Sequence, residues 1–215
     1  MKILGIDTTT KFLCLGIYDN GKIYAYNLEL GKKHSTLLIP TLKRAIDTLG
    51  WQLTDIDFLA CGLGPGSFTG IRVGLATIKG LSFALKKPII GISTLDILAK
   101  NAGQVTQFIL PIIDAKRGLI YCSIYKIKNG SLKRLAPYLL LAVNEFLKKI
   151  PKNSLILGDA VGLYKEKLLE NLKGASILDS DYWYPKAHQL ITLALERLKE
   201  KRLSNSFNIK PIYLY

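Results

Sequence analysis

The stretch that decides the fold is Gly62-Leu63-Gly64-Pro65-Gly66-Ser67-Phe68-Thr69-Gly70-Ile71-Arg72-Val73-Gly74, where a strand turns directly into a helix. The apolar run 56–61 before it has the length of a buried strand. Glycines and a proline then supply the backbone angles of a tight connection. Ser67 predicts a helix N-cap, and the helix extends to about Leu85. The amide groups at such a helix start form an electropositive rim that suits an anion or an acidic group of a partner.

The spacing of these glycines matches neither common phosphate-binding motif. A Walker loop needs a lysine beside its last glycine, and a dinucleotide fingerprint needs a third glycine where this chain has Ser67. The helix also carries Gly70, Gly74 and Gly80, each of which costs about 1 kcal/mol relative to alanine in a helix interior. Gly70 and Gly74 lie on one helical face. This pattern indicates close approach of a neighbouring segment, either within the chain or in a partner subunit.

The composition predicts a folded protein with a basic surface. Of the 215 residues, 49% are hydrophobic and 21% are charged, which suffices for a substantial core. The formal net charge of +14 is consistent with a nucleic-acid or acidic-protein partner. Because the basic residues are mostly lysines spread over both halves, a solvated lysine-rich surface is the simpler interpretation.

The cysteines and the N-terminus indicate a soluble cytoplasmic protein. Cys14, Cys61 and Cys122 each lie in an apolar run without a Cys-x-x-Cys pair, which predicts buried free thiols in a reducing compartment. The first residues meet a charge too early for a signal peptide, and no apolar run approaches the roughly 20 residues of a membrane span. We therefore expect no membrane partner.

The chain contains an internal repeat of its first strand. Ile3-Leu4-Gly5-Ile6-Asp7 corresponds to Leu110-Pro111-Ile112-Ile113-Asp114, and a tyrosine follows each aspartate at the same distance, at Tyr18 and Tyr125. Each tyrosine is soon followed by an Asn-Gly hairpin signal, at residues 20–21 and 129–130. The repeat predicts a first lobe of residues 1–103 and a smaller second lobe of residues 104–215, with the last helix packing back on the first lobe.

The patterning predicts three antiparallel strands at the start of each half, followed by alternating helices and strands. The predicted strands lie at 3–7, 12–18, 23–28, 88–92, near 139 and at 155–157, and the helices at 34–49, 94–102, from 144, at 162–172 and at 185–203. A duplicated α/β architecture with an aspartate ending the first strand of each half is the plan of acetate kinase, hexokinase and actin.

That plan suggests a nucleotide site. Asp7 with its neighbouring threonines, and Asp114 with Lys116 and Gly118, could surround a metal-bound nucleotide phosphate across the cleft between the lobes. The competing interpretation is that aspartate and threonine at the end of a strand cap their own backbone. Both interpretations stay open at the level of sequence.

Metal and hydrolase chemistry have little support in the sequence. The two histidines, His34 and His188, lie in different halves, and Leu38 stands where a second helical metal ligand would be. The sequence has no Gly-x-Ser-x-Gly elbow and no evident Ser/His/Asp set. We therefore predict no metal, no cofactor and no catalytic residue.

Several motifs resemble those of the bacterial TsaB family, also called YeaZ. The most specific is residues 64–74; the others are Ile6-Asp7-Thr8-Thr9-Thr10, His34-Ser35-Thr36-Leu37-Leu38-Ile39-Pro40 and residues 114–121. The resemblance covers the whole chain and is strongest over residues 1–126.

The resemblance implies a non-catalytic subunit in the synthesis of threonylcarbamoyladenosine at position 37 of tRNAs that read codons beginning with A. It implies a direct TsaD partner that carries the chemistry, the TsaE ATPase in the assembled complex, tRNA met through that complex, and a homodimer when the chain is alone. TsaD binds metal through paired histidines on a helix, and this chain lacks that pair.

The resemblance also implies that the helices of the first lobe contact TsaD. The expected interface residues are His34, Ser35, Leu38, Ser67, Phe68, Gly70, Ile71, Arg72 and Gly74. A vestigial nucleotide pocket would comprise Asp7, Thr8, Thr9 and Asp114. The alternative hypothesis is an ATP-dependent phosphotransferase of the same superfamily that uses Asp7 and Asp114.

Overall fold

The computed structural model describes residues 1–171 and 174–214. It confirms the α/β class, with two sheets flanked by helices. The elements in chain order are β1 (Lys2–Asp7), β2 (Phe12–Asp19), β3 (Lys22–Glu29), α1 (His34–Thr48), β4 (Phe58–Gly62), α2 (Phe68–Leu85), β5 (Ile89–Ile92), α3 (Thr94–Lys100), β6 (Phe108–Lys116), β7 (Leu119–Cys122), β8 (Tyr125–Lys128), β9 (Ser131–Arg134), β10 (Leu139–Ala142), α4 (Val143–Lys148), β11 (Ser154–Leu157), α5 (Ala160–Asn171), β12 (Ser176–Ile177) and α6 (Ala187–Lys199).

The chain divides into two compact units. Unit 1 comprises Met1–Thr94 and Pro185–Ile212, and unit 2 comprises Leu95–Tyr184 and the C-terminal residues. The boundary falls after Thr94 and not after residue 103 as predicted, because Leu95, Leu98 and Ala99 of α3 pack in the core of unit 2. The segment 185–212 lies in unit 1, since α6 packs on the sheet of that unit.

The sheet of unit 1 has the order β3-β2-β1-β4-β5. The first three strands are antiparallel, as predicted, while β4 and β5 run parallel to β1. Asn20 and Gly21 join β2 to β3 with φ angles of 44° and 96°, which is the left-handed backbone of a tight hairpin turn. This order brings the ends of β1 and β4 side by side, so the turn after β1 meets the start of α2.

The sheet of unit 1 is covered on both faces. Alternate residues of β1 point to opposite faces; Leu4 and Ile6 join the core under α1 and α2, whereas Gly5 faces α6. Gly5 pairs with Gly16 of β2, and a Cβ atom added at Gly16 would lie 2.5 Å from Ile191 Cγ1. These paired glycines let α6, the helix predicted to pack back on the first lobe, lie close to the sheet; the role of Gly5 and Gly16 in that packing was not predicted.

Unit 2 repeats this plan with one departure. β7 and β10 pair antiparallel beside β6, while β11 and β12 continue the sheet in parallel on the other side. The Asn129-Gly130 turn does not join the strands equivalent to β2 and β3; it closes a separate hairpin, β8 and β9, which pairs with β6 at Ile109. β10 takes the outer position instead.

The predicted end of α5 at Leu172 lies outside the described residues, as does Tyr215 in the predicted docking tail. Among the helices that the structure describes, α2 alone is long and apolar enough to cross a membrane by length and composition. α2 has a buried face that includes Ile71, Leu75 and Ile78. It is thus packed as a helix of a folded domain.

Candidate functional site

The turn after β1 surrounds a buried carboxylate. Asp7 is 1% exposed, and its Oδ1 accepts hydrogen bonds from Thr9 N at 2.8 Å and Thr9 Oγ1 at 2.7 Å. Thr94 Oγ1, at the start of α3, lies 3.2 Å from Asp7 Oδ2. Burial raises the pKa of Asp7, and the bonds from Thr9 and Thr94 partly offset that rise. The carboxylate therefore organises its own turn.

Asp7 also lies directly against the backbone of β4. A Cβ atom added at Gly62 would lie 2.0 Å from Asp7 Oδ2, so the carboxylate occupies the space that a side chain would take. In this position the Asp7 carboxylate accepts hydrogen bonds from neighbouring hydroxyl and amide groups of the chain. The structure thus favours the capping interpretation of Asp7 over a phosphate-binding one.

The N-terminus of α2 engages the same turn. Ser67 Oγ accepts from Gly70 N at 3.2 Å, which confirms the predicted N-cap. Ser67 N donates to Thr9 O at 2.7 Å, and Thr8 Oγ1 donates to Gly70 O at 2.6 Å. Two amide groups of the electropositive rim predicted for an anion are therefore bound within the chain, Ser67 N by the Thr9 carbonyl and Gly70 N by the Ser67 hydroxyl.

Gly70 and Gly74 allow the turn after β1 to lie close against α2. A Cβ atom would lie 2.0 Å from Thr8 O at Gly70 and 2.4 Å from Thr8 Oγ1 at Gly74. Both glycines are buried, so the expectation that they admit a partner's helix is wrong. At Gly80, in contrast, an added Cβ would meet nothing within 4 Å. The open glycine of α2 is therefore Gly80.

The other expected interface residues fall into two groups. His34, Leu38 and Ile71 are buried, and His34 Nε2 donates to Thr10 O at 2.8 Å. These side chains attach α1 and α2 to unit 1 and offer little surface to a partner. The exposed group comprises Ser35 of α1, Ser67 at the N-cap of α2, and Phe68 and Arg72 of α2.

The exposed group adjoins apolar surface that the sequence analysis did not single out. The Arg72 guanidinium lies over the Phe68 ring at 3.7 Å, and the Phe68 side chain is 49% exposed. Ile39 of α1 is 54% exposed, and Ala76 follows Arg72 along α2. Helical periodicity identifies the buried stripe of α1, and Ile39 lies outside that stripe. An isoleucine at such a position was the sequence signal that could have indicated this surface. We define Ser35, Ile39, Phe68, Arg72, Ala76 and Gly80 as the α1–α2 surface.

In unit 2, Asp114 forms a loop of its own. Its carboxylate accepts from Lys116 N at 2.8 Å and from Lys116 Nζ at 2.5 Å, while Asp114 N donates to Asp159 Oδ1 at 2.9 Å. Burial raises the pKa of Asp159 to about 6. Asp159 was missed at the sequence level because the contact depends on β6 and β11 being neighbours. Among the described residues, no group of three or more His, Cys, Asp or Glu could hold a metal ion.

Comparison with known proteins identifies the family. The model described as "TsaD: tRNA N6-adenosine threonylcarbamoyltransferase" matches residues 29–208. The Bacillus subtilis tRNA threonylcarbamoyladenosine biosynthesis protein TsaB is 31% identical over 100% of this chain and 94% of its own length. The Escherichia coli protein of the same name is 28% identical, with the same coverage.

A solved structure supports the fold. YeaZ from Pseudomonas aeruginosa superposes with a TM-score of 0.86 at 23% sequence identity, over 99% of each chain. The family model and the full-length relatives agree with the motif at residues 64–74. The chain therefore belongs to the family that this model describes, and within it to the TsaB proteins.

Proposed function

We propose that the chain is the non-catalytic subunit required for threonylcarbamoylation of adenosine 37 in tRNAs that read codons beginning with A. In this role it binds and stabilises the catalytic TsaD subunit, and TsaE joins the assembly. The family membership supports a place in this modification pathway. The relatives that carry the name TsaB match over the full length of this chain, so both units belong to the proposed role.

The observation that carries the proposal is the exposed α1–α2 surface. Ile39 and Phe68 are about half exposed on adjacent helices, and an exposed apolar patch of this kind marks an interaction site. Ala76 and Gly80 continue the exposed face of α2 in four-residue steps from Phe68 and Arg72, and these small residues leave room for another helix at close range. A partner's helices would cover this surface, with Phe68 and Arg72 as the large anchoring side chains.

The state of Asp7 supports a non-catalytic role. Metal-assisted phosphoryl transfer needs a carboxylate that can reach a metal ion or a nucleotide, and Asp7 is 1% exposed with both oxygens against protein groups. The phosphotransferase alternative is therefore less well supported. Calorimetry with Mg-ATP separates the two functions, because micromolar binding lost in Asp7→Ala would favour the phosphotransferase.

Self-association follows from the same surface. When the chain is alone, a second copy can cover Ile39 and Phe68, which makes a homodimer the expected free state. TsaD would then compete with that second copy, or bind a further surface in a larger assembly. The cytoplasm, where tRNA is modified, is the expected location, and the tRNA is met through the complex.

The decisive variant is Gly80→Leu, which adds a side chain where the structure has open space. We expect it to fold and to weaken TsaD association by about tenfold or more, since a bulky group there would separate the two helices. Asn144→Leu, at an exposed position of α4, adds leucine outside the α1–α2 surface and should bind TsaD normally. Light scattering after size exclusion and titration calorimetry give both values.

The functional test is tRNA modification by TsaD, TsaE and a carbamoyl-adenylate supply, with and without this chain. We expect modification to require the chain and to fall with Gly80→Leu. Full modification in its absence would remove the proposal. Unchanged TsaD affinity in Gly80→Leu would remove the α1–α2 surface from the interface while leaving the subunit role standing.

A further inference from the structure

Two exposed aromatic rings meet at the far end of α2. The Phe83 side chain is 67% exposed and the Phe207 side chain 80%, and their ring centroids lie 6.2 Å apart at an interplanar angle of 81°. They line a groove of about 630 Å³, with Lys86, Lys87 and Ser206 among its other walls. We call this feature the Phe–Lys groove. It lies wholly within unit 1.

The side chains of Asn205 and Asn208 hold the turn that carries Phe207. Asn205 Oδ1 accepts from Phe207 N at 2.9 Å and from Asn208 N at 3.0 Å, and Asn205 N donates to Asn208 Oδ1 at 2.8 Å. Ser204 is bound to Ile89 of β5 by two backbone hydrogen bonds of 2.8 Å. The turn that carries the ring is thus anchored to the sheet, so binding a flat ligand on it costs little ordering of the chain.

The surroundings of the rings are basic. Lys86 is exposed and Lys87 half-buried, and both line the groove. In the segment that precedes the Phe207 turn, Lys201 is exposed and Arg202 is paired with Glu200 at 3.1 Å. Lys86 and Lys87 also suit the negative end of the α2 dipole, so their charge alone does not identify a ligand. The lysines together with two solvent-facing rings do indicate a ligand, because exposed aromatic faces flanked by lysines are the features that bind unpaired nucleic acid.

We propose that the Phe–Lys groove binds an unpaired stretch of RNA, with a base stacked on Phe207 or Phe83 and the flanking phosphates beside Lys86 and Lys87. The inference rests on the proposed function in that an RNA is then the substrate of the assembly. An acidic peptide would satisfy the lysines but would leave the faces of the rings without a flat partner. RNA satisfies both parts of the groove.

The test measures fluorescence anisotropy of the full chain with a fluorescein-labelled RNA hairpin that has an unpaired loop. Phe207→Ala should weaken binding by about tenfold through loss of stacking. Leu163→Ala, which removes a side chain that is 62% exposed in unit 2, is the matched control and should bind like the unaltered chain.

The salt dependence tests the lysines. Lys86→Ala with Lys87→Ala should lower the slope of log affinity against log salt by about 0.7 for each lysine that contacts a phosphate, and by about 1.4 for both. The control replaces the exposed pair Lys148, the last residue of α4, and Lys149, which follows it, by alanine, and the slope should stay unchanged.

Three results would overturn the inference: no RNA binding by the unaltered chain at low salt, an unchanged affinity in Phe207→Ala, or tighter binding of a labelled acidic peptide than of the hairpin. The last result would assign the groove to a protein. TsaD association measured on Phe207→Ala should remain normal, so loss of RNA binding is distinguishable from loss of the subunit role. A chain that bound RNA in the groove without being required for tRNA modification would keep this inference and lose the proposed function.

Discussion

Alanine substitutions at two glycines of α2 test which of them is required for packing within the chain. Gly70→Ala and Gly80→Ala make the same chemical change in the same helix. Alanine is better than glycine in a helix by about 0.5–1 kcal/mol, so both variants start with a gain of that size. Because nothing lies within 4 Å of the added Cβ at position 80, Gly80→Ala should keep the gain.

At position 70 the gain is outweighed. The added Cβ would lie 2.0 Å from Thr8 O, a backbone atom that can move only with the turn after β1. Overpacking of this kind costs about 1–3 kcal/mol. The Thr8 Oγ1 bond to Gly70 O, 2.6 Å long, would also be disturbed, at a cost of about 1 kcal/mol. We expect Gly70→Ala to be less stable than Gly80→Ala by about 2–4 kcal/mol.

Urea unfolding followed by tryptophan fluorescence measures this difference. Trp51 lies in the core of unit 1 and Trp183 in unit 2, so a Trp183→Phe background reports unit 1 alone. A pair of alanine variants with equal midpoints and slopes would refute the reasoning, because it would mean that α2 and the turn are not in contact at Gly70.

Two further predictions test contacts described above. Asp159→Asn should stabilise unit 2 near pH 7 and change its stability little near pH 4. Because the pKa of the Asp159 carboxyl is raised in the folded state, the free energy of unfolding falls by up to about 3 kcal/mol as pH rises from about 4 to about 6, and asparagine avoids this loss. Thermal unfolding at both pH values checks this, and an equal effect at both would contradict it. Gly16→Ala should cost about 1–3 kcal/mol by forcing Ile191 of α6 away from the sheet; a double-mutant cycle with Ile191→Ala should show coupling between the two positions, and strict additivity would count against the contact.

The candidate site was partly predictable. The motif at residues 64–74 predicted the strand, the tight turn and the Ser67 cap, because each depends on residues close together in the chain. The interface residues of α1 and α2 were less well predicted, since four-residue spacing shows which residues share a face but not whether that face meets solvent. Gly70 and Gly74 share a face, and that face meets Thr8.

The sequence by itself determined the α/β class, the duplicated first strand, the hairpin at Asn20-Gly21 and the family, because these follow from local patterns and specific motifs. Only the tertiary structure decided what surrounds Asp7 and which glycine of α2 stays open. Thr8 and Gly70 are 62 positions apart, and Asp7 and Thr94 are 87 apart. Contacts over such separations depend on strand order and helix packing, so neither a motif nor a period could specify them.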